Sequence, residues 1–158
     1  FPLGAALINE RIATAFESDS SGKAAIGHGY TYSGHPVGAA AALAAIAETR
    51  RLDVVTNAAA RGTQLYDGMV SLAGQYPVVG DVRGGHGLMT AMELVADQET
   101  KAPIDGKLAI KMQKAAYQAG ALIRVSGPNV ILSPSLVIEE ADIDIALNAV
   151  EEGLKAIS

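Results

Sequence analysis

The sequence contains no cysteine, which excludes disulfides, thiolate metal ligands and thiol chemistry. It is also lean in charge. Asp, Glu, Lys and Arg make up 18% of its 158 residues, against roughly 25% in average soluble chains. Nor is the charge basic. Twelve Lys and Arg stand against 17 Asp and Glu, giving a formal net charge of −5 and a pI of about 5.1, so the footprint of a nucleic-acid-binding protein is missing. Long apolar runs are missing too. The longest, residues 38–47, falls well short of the roughly 20 residues that a spanning helix needs. No basic region of a signal peptide opens the chain. A soluble, cytoplasmic protein with no membrane or nucleic-acid partner is the expectation. What abounds is Ala and Gly, within a 49% hydrophobic composition that excludes a disordered or collagen-like chain.

Residues 5–9 read as a short buried strand after a turn-like Phe1-Pro2-Leu3-Gly4. Ile12, Ala13 and Phe16 at helical spacing predict a helix over 10–17, followed by a polar loop over 18–23. An Ala-rich helix is predicted over 36–50. Pro36 suits its first position, where a missing N–H costs nothing. The small residues 38–42 allow another backbone or a ligand to approach closely. A second helix is predicted over 52–75, with Val55, Ala59, Leu65, Met69 and Leu72 apolar, and Tyr76-Pro77 breaks it. Residues 78–95 alternate in sheet fashion around a glycine-rich bend at 82–87. Asp105 is placed to cap a helix over 106–119, with Leu108, Met112, Ala115 and Ala119 on one face and Gly120 as its stop. Strands are predicted over 121–125 and 130–133. The last helix, 139–157, carries Ile143, Leu147, Val150, Leu154 and Ile157 on one stripe, with acids at its start where the macrodipole favours them. The second half is therefore a small α+β unit. The first 50 residues have too few elements to close a core, and are expected to pack on material outside this chain.

Chemistry has few places to reside. His28 and His35 are seven apart, not an established metal spacing, and no Cys or neighbouring carboxylate joins them. No metal site is expected. Residues 81–87 are glycine-rich but lead into a strand rather than a helix, so a hairpin fits better than a phosphate loop. Residues 29–36 differ. Thr31 and Ser33 place hydroxyls just before a helix N-terminus whose amides suit an anion; an ordinary capped helix start is the competing reading. Arg124 ends an apolar run beside a Ser-Gly-Pro turn. Its planar fork there suits bidentate grip of a carboxylate, and a plain surface arginine is the alternative.

These residues carry a resemblance. His28-Gly29-Tyr30-Thr31-Tyr32-Ser33-Gly34-His35-Pro36, Pro2-Leu3-Gly4-Ala5, Asp81-Val82-Arg83-Gly84 with Gly87-Leu88-Met89, and Arg124-Val125-Ser126-Gly127 followed by Leu132-Ser133-Pro134-Ser135-Leu136 resemble, in order, motifs of class III aminotransferases. The likeness is to the omega-amino-acid or amine:pyruvate branch of these pyridoxal 5'-phosphate (PLP) enzymes. It implies an α/β fold with an α+β C-terminal domain. Residues 1–50 would end the fold-type-I PLP-binding large domain, and residues 51–158 would form a linking helix and the small domain.

The resemblance implies that Thr31, with Tyr30 beside it, binds the PLP phosphate, across the interface of a homodimer or dimer of dimers. It implies that Arg124 holds the substrate carboxylate. The Schiff-base lysine is expected upstream of Phe1. Lys23, Lys101, Lys107, Lys111, Lys114 and Lys155 lack the family's surroundings, so no catalytic residue is assigned in this chain. The chain then reads as part of a longer transaminase that moves an amino group from an amine or amino acid to a keto acid, and as inactive alone. The alternatives are a non-catalytic interaction module or another class III PLP enzyme, such as an aminomutase or decarboxylase. Two departures are noted. Ser135 stands where the family's PPL ending has a second proline, and Ile138 where a Thr or Ser often caps the final helix.

Overall fold

Side-chain caps decide where several helices begin. The computed structural model describes residues 1–24, 27 and 29–158, which divide into two units, Phe1–Arg51 and Leu52–Ser158. In the first, the Asn9 Oδ1 accepts the Ile12 N–H at 3.1 Å and starts α1 (Glu10–Glu17). Asp19 then organises the loop. Its carboxylate accepts the Ser21 hydroxyl at 2.6 Å, the Ala24 amide at 2.7 Å and the Ser21 amide at 2.9 Å. These bonds, the hydroxyl's above all, stabilise the ionised form and hold the Asp19 pKa at about 2. Helix α2 (Pro36–Arg51) follows.

Residues 5–9 form no strand, contrary to the expectation. All five are exposed, Leu7 to 92%. Among the described residues of this unit no strand pairs with them, so the apolar run has no ladder to join. Gly38 is the one buried residue among those described in this unit, while Leu43, Ile46 and Val37 of α2 are exposed. The described residues of this unit close no core of their own.

The second unit does. Helix α3 (Val54–Gln75) is followed by strands β1 (Val79–Arg83) and β2 (Thr90–Leu94), helix α4 (Gly106–Gln118), strands β3 (Arg124–Ser126) and β4 (Asn129–Leu132), and helix α5 (Glu140–Lys155). The sheet is antiparallel throughout, in the order β1-β2-β4-β3. Period-2 alternation sends Thr90, Met92 and Leu94 to one face, where they meet Val130, Leu132 and the inner stripes of the helices. Glu93 lies on the other face. There the Arg83 guanidinium bridges Glu93 at 2.7 Å, Asp81 at 2.8 Å and Asn129 at 2.6 Å, tying β1, β2 and β4 together.

Boundaries moved where backbone geometry overrode periodicity. Asp53 adopts a left-handed φ of 46°, so α3 starts at Val54, which is buried while Val55 is exposed. In α4, Asp105 caps as expected, accepting the Lys107 N–H at 2.9 Å. The buried stripe, however, is Ala109, Met112 and Ala116 rather than Leu108, Met112, Ala115 and Ala119. The reason is the α5 partner. Gly153 lies against Met112, where a Cβ would come within 2.8 Å of its Cγ, and small residues on either side of Met112 let the helices close. Final-helix capping falls to Glu139, whose N–H donates to Asp142 at 3.4 Å, so Ile138 is not the cap. Asn57 joins α3 to this segment by donating to the Leu136 and Ile138 carbonyls at 2.9 and 3.0 Å.

Among the described residues one core side chain is unsatisfied. The Thr90 hydroxyl is fully buried, and no partner accepts or donates to it. An unpaired buried hydroxyl costs about 1–3 kcal/mol relative to a satisfied one. Thr90→Val, which keeps the shape and removes the hydroxyl, is therefore expected to stabilise the protein by about 1 kcal/mol in chemical denaturation. A loss of stability would mean that an ordered water completes the site.

Candidate functional site

The turn before α2 is built from its own backbone. The Tyr30 carbonyl accepts the Ser33 N–H at 2.9 Å, and the Tyr30 N–H donates to the Ser33 Oγ at 3.1 Å. Gly34, with a left-handed φ of 72°, lets the chain reverse, and the Tyr32 carbonyl accepts the His35 N–H at 3.1 Å. Thr31 and Tyr30 ride on the outside of this turn, both exposed. His28 lies outside the described residues.

His35 caps α2. Its Nδ1 accepts the Gly38 N–H at 3.1 Å, and its carbonyl accepts the Ala39 N–H at 3.0 Å. The Phe1 ring stacks on the imidazole with centroids 5.5 Å apart, and Tyr32 meets it edge-on at 5.6 Å. Gly38 is small because Phe1 covers it: a Cβ there would fall 2.7 Å from the ring. The sequence reading left His35 as a loop residue. A His-Pro pair just ahead of an Ala-rich run was the available signal. The cap also reduces what the helix start can offer an anion. Pro36 has no N–H, and the Gly38 and Ala39 N–H groups are taken by His35, which leaves Val37 as the one N–H of the first turn unpaired among the described residues.

Arg124 opens β3 in the second unit and pairs with Ile131. Gly127, at φ 58°, takes the first central position of the two-residue β3–β4 turn, where a positive φ matches the twist of the strands. The arginine is exposed and lines a cleft of about 340 Å³ with Ile131, Pro134, Ile138 and Ile145. Asp142 lies on the same cleft, a neighbour that the sequence reading did not name. The unit's ion pairs use Arg61, Arg83 and Lys155 and leave the Arg124 guanidinium unpaired among the described residues. An unpaired planar cation against apolar walls can receive a carboxylate attached to an apolar body.

The lysines are placed elsewhere. Lys101 donates to the Gly80 carbonyl at 3.1 Å and to Gln98 at 2.8 Å, and Lys155 pairs with Glu152 at 2.9 Å. Lys107, Lys111 and Lys114 stand on the outer side of α4, and Lys23 lies in an exposed loop. Among the described residues no cluster of His, Asp and Glu could hold a metal, and no helix is long and apolar enough to cross a membrane.

The sequence model of the class III aminotransferases matches residues 1–154. An amine transaminase from an uncultivated Pseudomonas species, solved in its PLP-bound form, superposes with a TM-score of 0.86 at 39% identity, covering 95% of this chain and 34% of that one. An uncharacterized aminotransferase of Sinorhizobium fredii is 35% identical over 161 residues, which is 99% of this chain and 34% of that protein. The taurine–pyruvate aminotransferase of Bilophila wadsworthia is 36% identical over 134 residues, 80% of this chain and 29% of that protein. The chain thus spans about a third of the length of the relatives it matches.

Proposed function

This chain belongs to the class III aminotransferase family, and on that premise we propose that it is the C-terminal portion of a transaminase that moves an amino group between an amine or omega-amino acid and a keto acid such as pyruvate. Its mixed helices and antiparallel sheet match PLP fold-type-I transaminase structures over most of the chain. Residues 1–50 are read as the end of the large domain and 51–158 as the linking helix and small domain.

The observation that carries the cofactor reading is the turn at Tyr30–Gly34. An exposed hydroxyl next to a helix start, on a turn whose Tyr30, Ser33 and His35 N–H groups are held within the chain, is a donor that fits a phosphate oxygen. Thr31, with Tyr30, would hold the PLP phosphate. Once bound, PLP supplies an electron sink for breaking bonds at the amino-bearing carbon. Arg124 would bind and orient the substrate carboxylate, and the apolar cleft walls would exclude water from that ion pair and strengthen it. We assign the covalent lysine to a segment preceding Phe1 in the full-length protein, since the six lysines here are paired or stand on open surface. The homodimer in which Thr31 would serve the partner subunit's site is carried over from the family resemblance.

In the full-length protein, Thr31→Ala is expected to weaken PLP retention about tenfold, the worth of one charge-assisted hydrogen bond, measured by cofactor dissociation in equilibrium dialysis. Thr31→Ser should retain most of it. Unchanged retention in the alanine variant would remove Thr31 from the phosphate site.

A further inference from the structure

The cap of α2 is an imidazole, and it works in one protonation state. The His35 Nδ1 accepts the Gly38 N–H at 3.1 Å, so the neutral ring is assigned its proton on Nε2. Protonation puts a second N–H on Nδ1, aimed at the Gly38 N–H. It also puts a positive charge at a helix N-terminus, where the macrodipole is already positive. Both effects break the cap. Ser, Thr and Asn, common N-caps, accept the same bond with no proton to gain. Histidine makes this helix start sensitive to pH where those residues would not.

The same imidazole braces the turn that presents Thr31. Two turns overlap there. The Tyr30 carbonyl accepts the Ser33 N–H at 2.9 Å, and the Tyr32 carbonyl accepts the His35 N–H at 3.1 Å. Tyr32 meets the half-buried imidazole edge-on, and the Phe1 ring stacks on it and fills the space over Gly38. An imidazole that turns away from Gly38 gives up both ring contacts. The titratable groups on the residues packed against it are the Tyr32 phenol and the amino group of Phe1, an uncharged amide wherever a segment precedes it. Glu48, Arg50 and Arg51, the charged side chains of α2, begin roughly 20 Å along the helix. Among the described residues no ion pair joins a carboxylate to the ring that would hold its charged form. We propose that His35 is a positioning residue for the phosphate site. Neutral, it fixes the turn that presents Thr31. Protonated, it releases that turn, and a phosphate-bearing cofactor is held less tightly. The capping bond is present above the titration range of histidine and lost as the pH falls through it. This role rests on the reading of Thr31 as a phosphate ligand.

Two measurements on the full-length protein test it. Amide hydrogen exchange reads the cap itself and needs no variant. Corrected for the intrinsic exchange rate, protection of the first turn of α2 should fall about fivefold, the worth of one helix cap, between about pH 8 and about pH 5.5. In His35→Asn, whose amide oxygen caps without titrating, protection should be the same at both. Equilibrium dialysis at the same two pH values then reads PLP retention. The cofactor phosphate titrates in this range too, so the quantity compared is the difference between proteins. Wild type should lose about fivefold more retention on acidification than His35→Asn. His35→Ala should hold PLP about fivefold more weakly than wild type at the higher pH, with no added loss in acid. Equal pH dependence of wild type and His35→Asn in either measurement overturns the proposal. Protection that follows pH in wild type but not in His35→Asn, together with PLP retention unchanged by Thr31→Ala, overturns the phosphate reading of the turn instead.

Discussion

Gly62→Ala is expected to destabilise the second unit by about 3 kcal/mol, at the upper end of what overpacking costs. Gly62 is buried in α3 and faces the glycine-rich loop between β1 and β2. An added Cβ would fall 2.3 Å from the Gly87 carbonyl oxygen and 2.5 Å from its carbon. The obstacle is backbone, so no rotamer change relieves it. The loop has little freedom to retreat, since Gly87 holds a left-handed φ of 79° and Gly85 packs against the Tyr66 ring. The alanine gains about 1 kcal/mol of helix propensity, which does not offset the clash. Gly74 in the same helix is the control, because a Cβ there meets nothing within 4 Å. Gly74→Ala should therefore stabilise by about 0.5–1 kcal/mol. Chemical denaturation of both variants separates the two terms. Equal stability of Gly62→Ala and wild type would show that helix and loop are not in contact as described.

Arg124→Ala in the full-length protein is expected to raise KM for a carboxylate-bearing keto acid such as pyruvate by about 10- to 100-fold, which matches 1.5–3 kcal/mol for hydrogen bonds to a charged group. Amine donors without a carboxylate should be affected far less, because they offer the guanidinium nothing to grip. The position of the arginine allows this selectivity. It is exposed at the start of a short strand, unpaired among the described residues, on a cleft whose other walls are mostly apolar. Arg124→Lys should recover only part of the loss, since an ammonium keeps the charge but not the two-pronged geometry. Steady-state kinetics with one keto acid and two donors, one with and one without a carboxylate, distinguishes the roles. An equal loss for every substrate would make Arg124 a structural residue.

Much of this fold was legible because local chemistry and tertiary packing agree. Asp105 caps α4, Gly120 ends it at a φ of 108°, and the Ile143–Leu154 stripe of α5 enters the core. Where they disagree, the reading failed. Residues 5–9 have strand composition but pair with no strand among the described residues, and pairing rather than propensity makes a strand. The inner face of α4 is set by the fit of Met112 over Gly153, a contact some 40 residues distant that no helical period encodes. Of the candidate residues, the Tyr30–Gly34 turn and Arg124 were legible as motifs. His35 as a cap and Asp142 on the arginine's cleft were not, because the first needs the imidazole's orientation and the second the packing of α5 against β3 and β4.

Amino-group transfer by the full-length protein, served by this chain's turn and arginine, is the function proposed. Its most direct test is alanine formation from pyruvate by the full-length protein, with PLP and a panel of amines and omega-amino acids. PLP-dependent alanine from at least one donor is the expected result, weakened at limiting pyruvate by Arg124→Ala. Retention of PLP with no amino transfer to pyruvate or any other keto acid would contradict it.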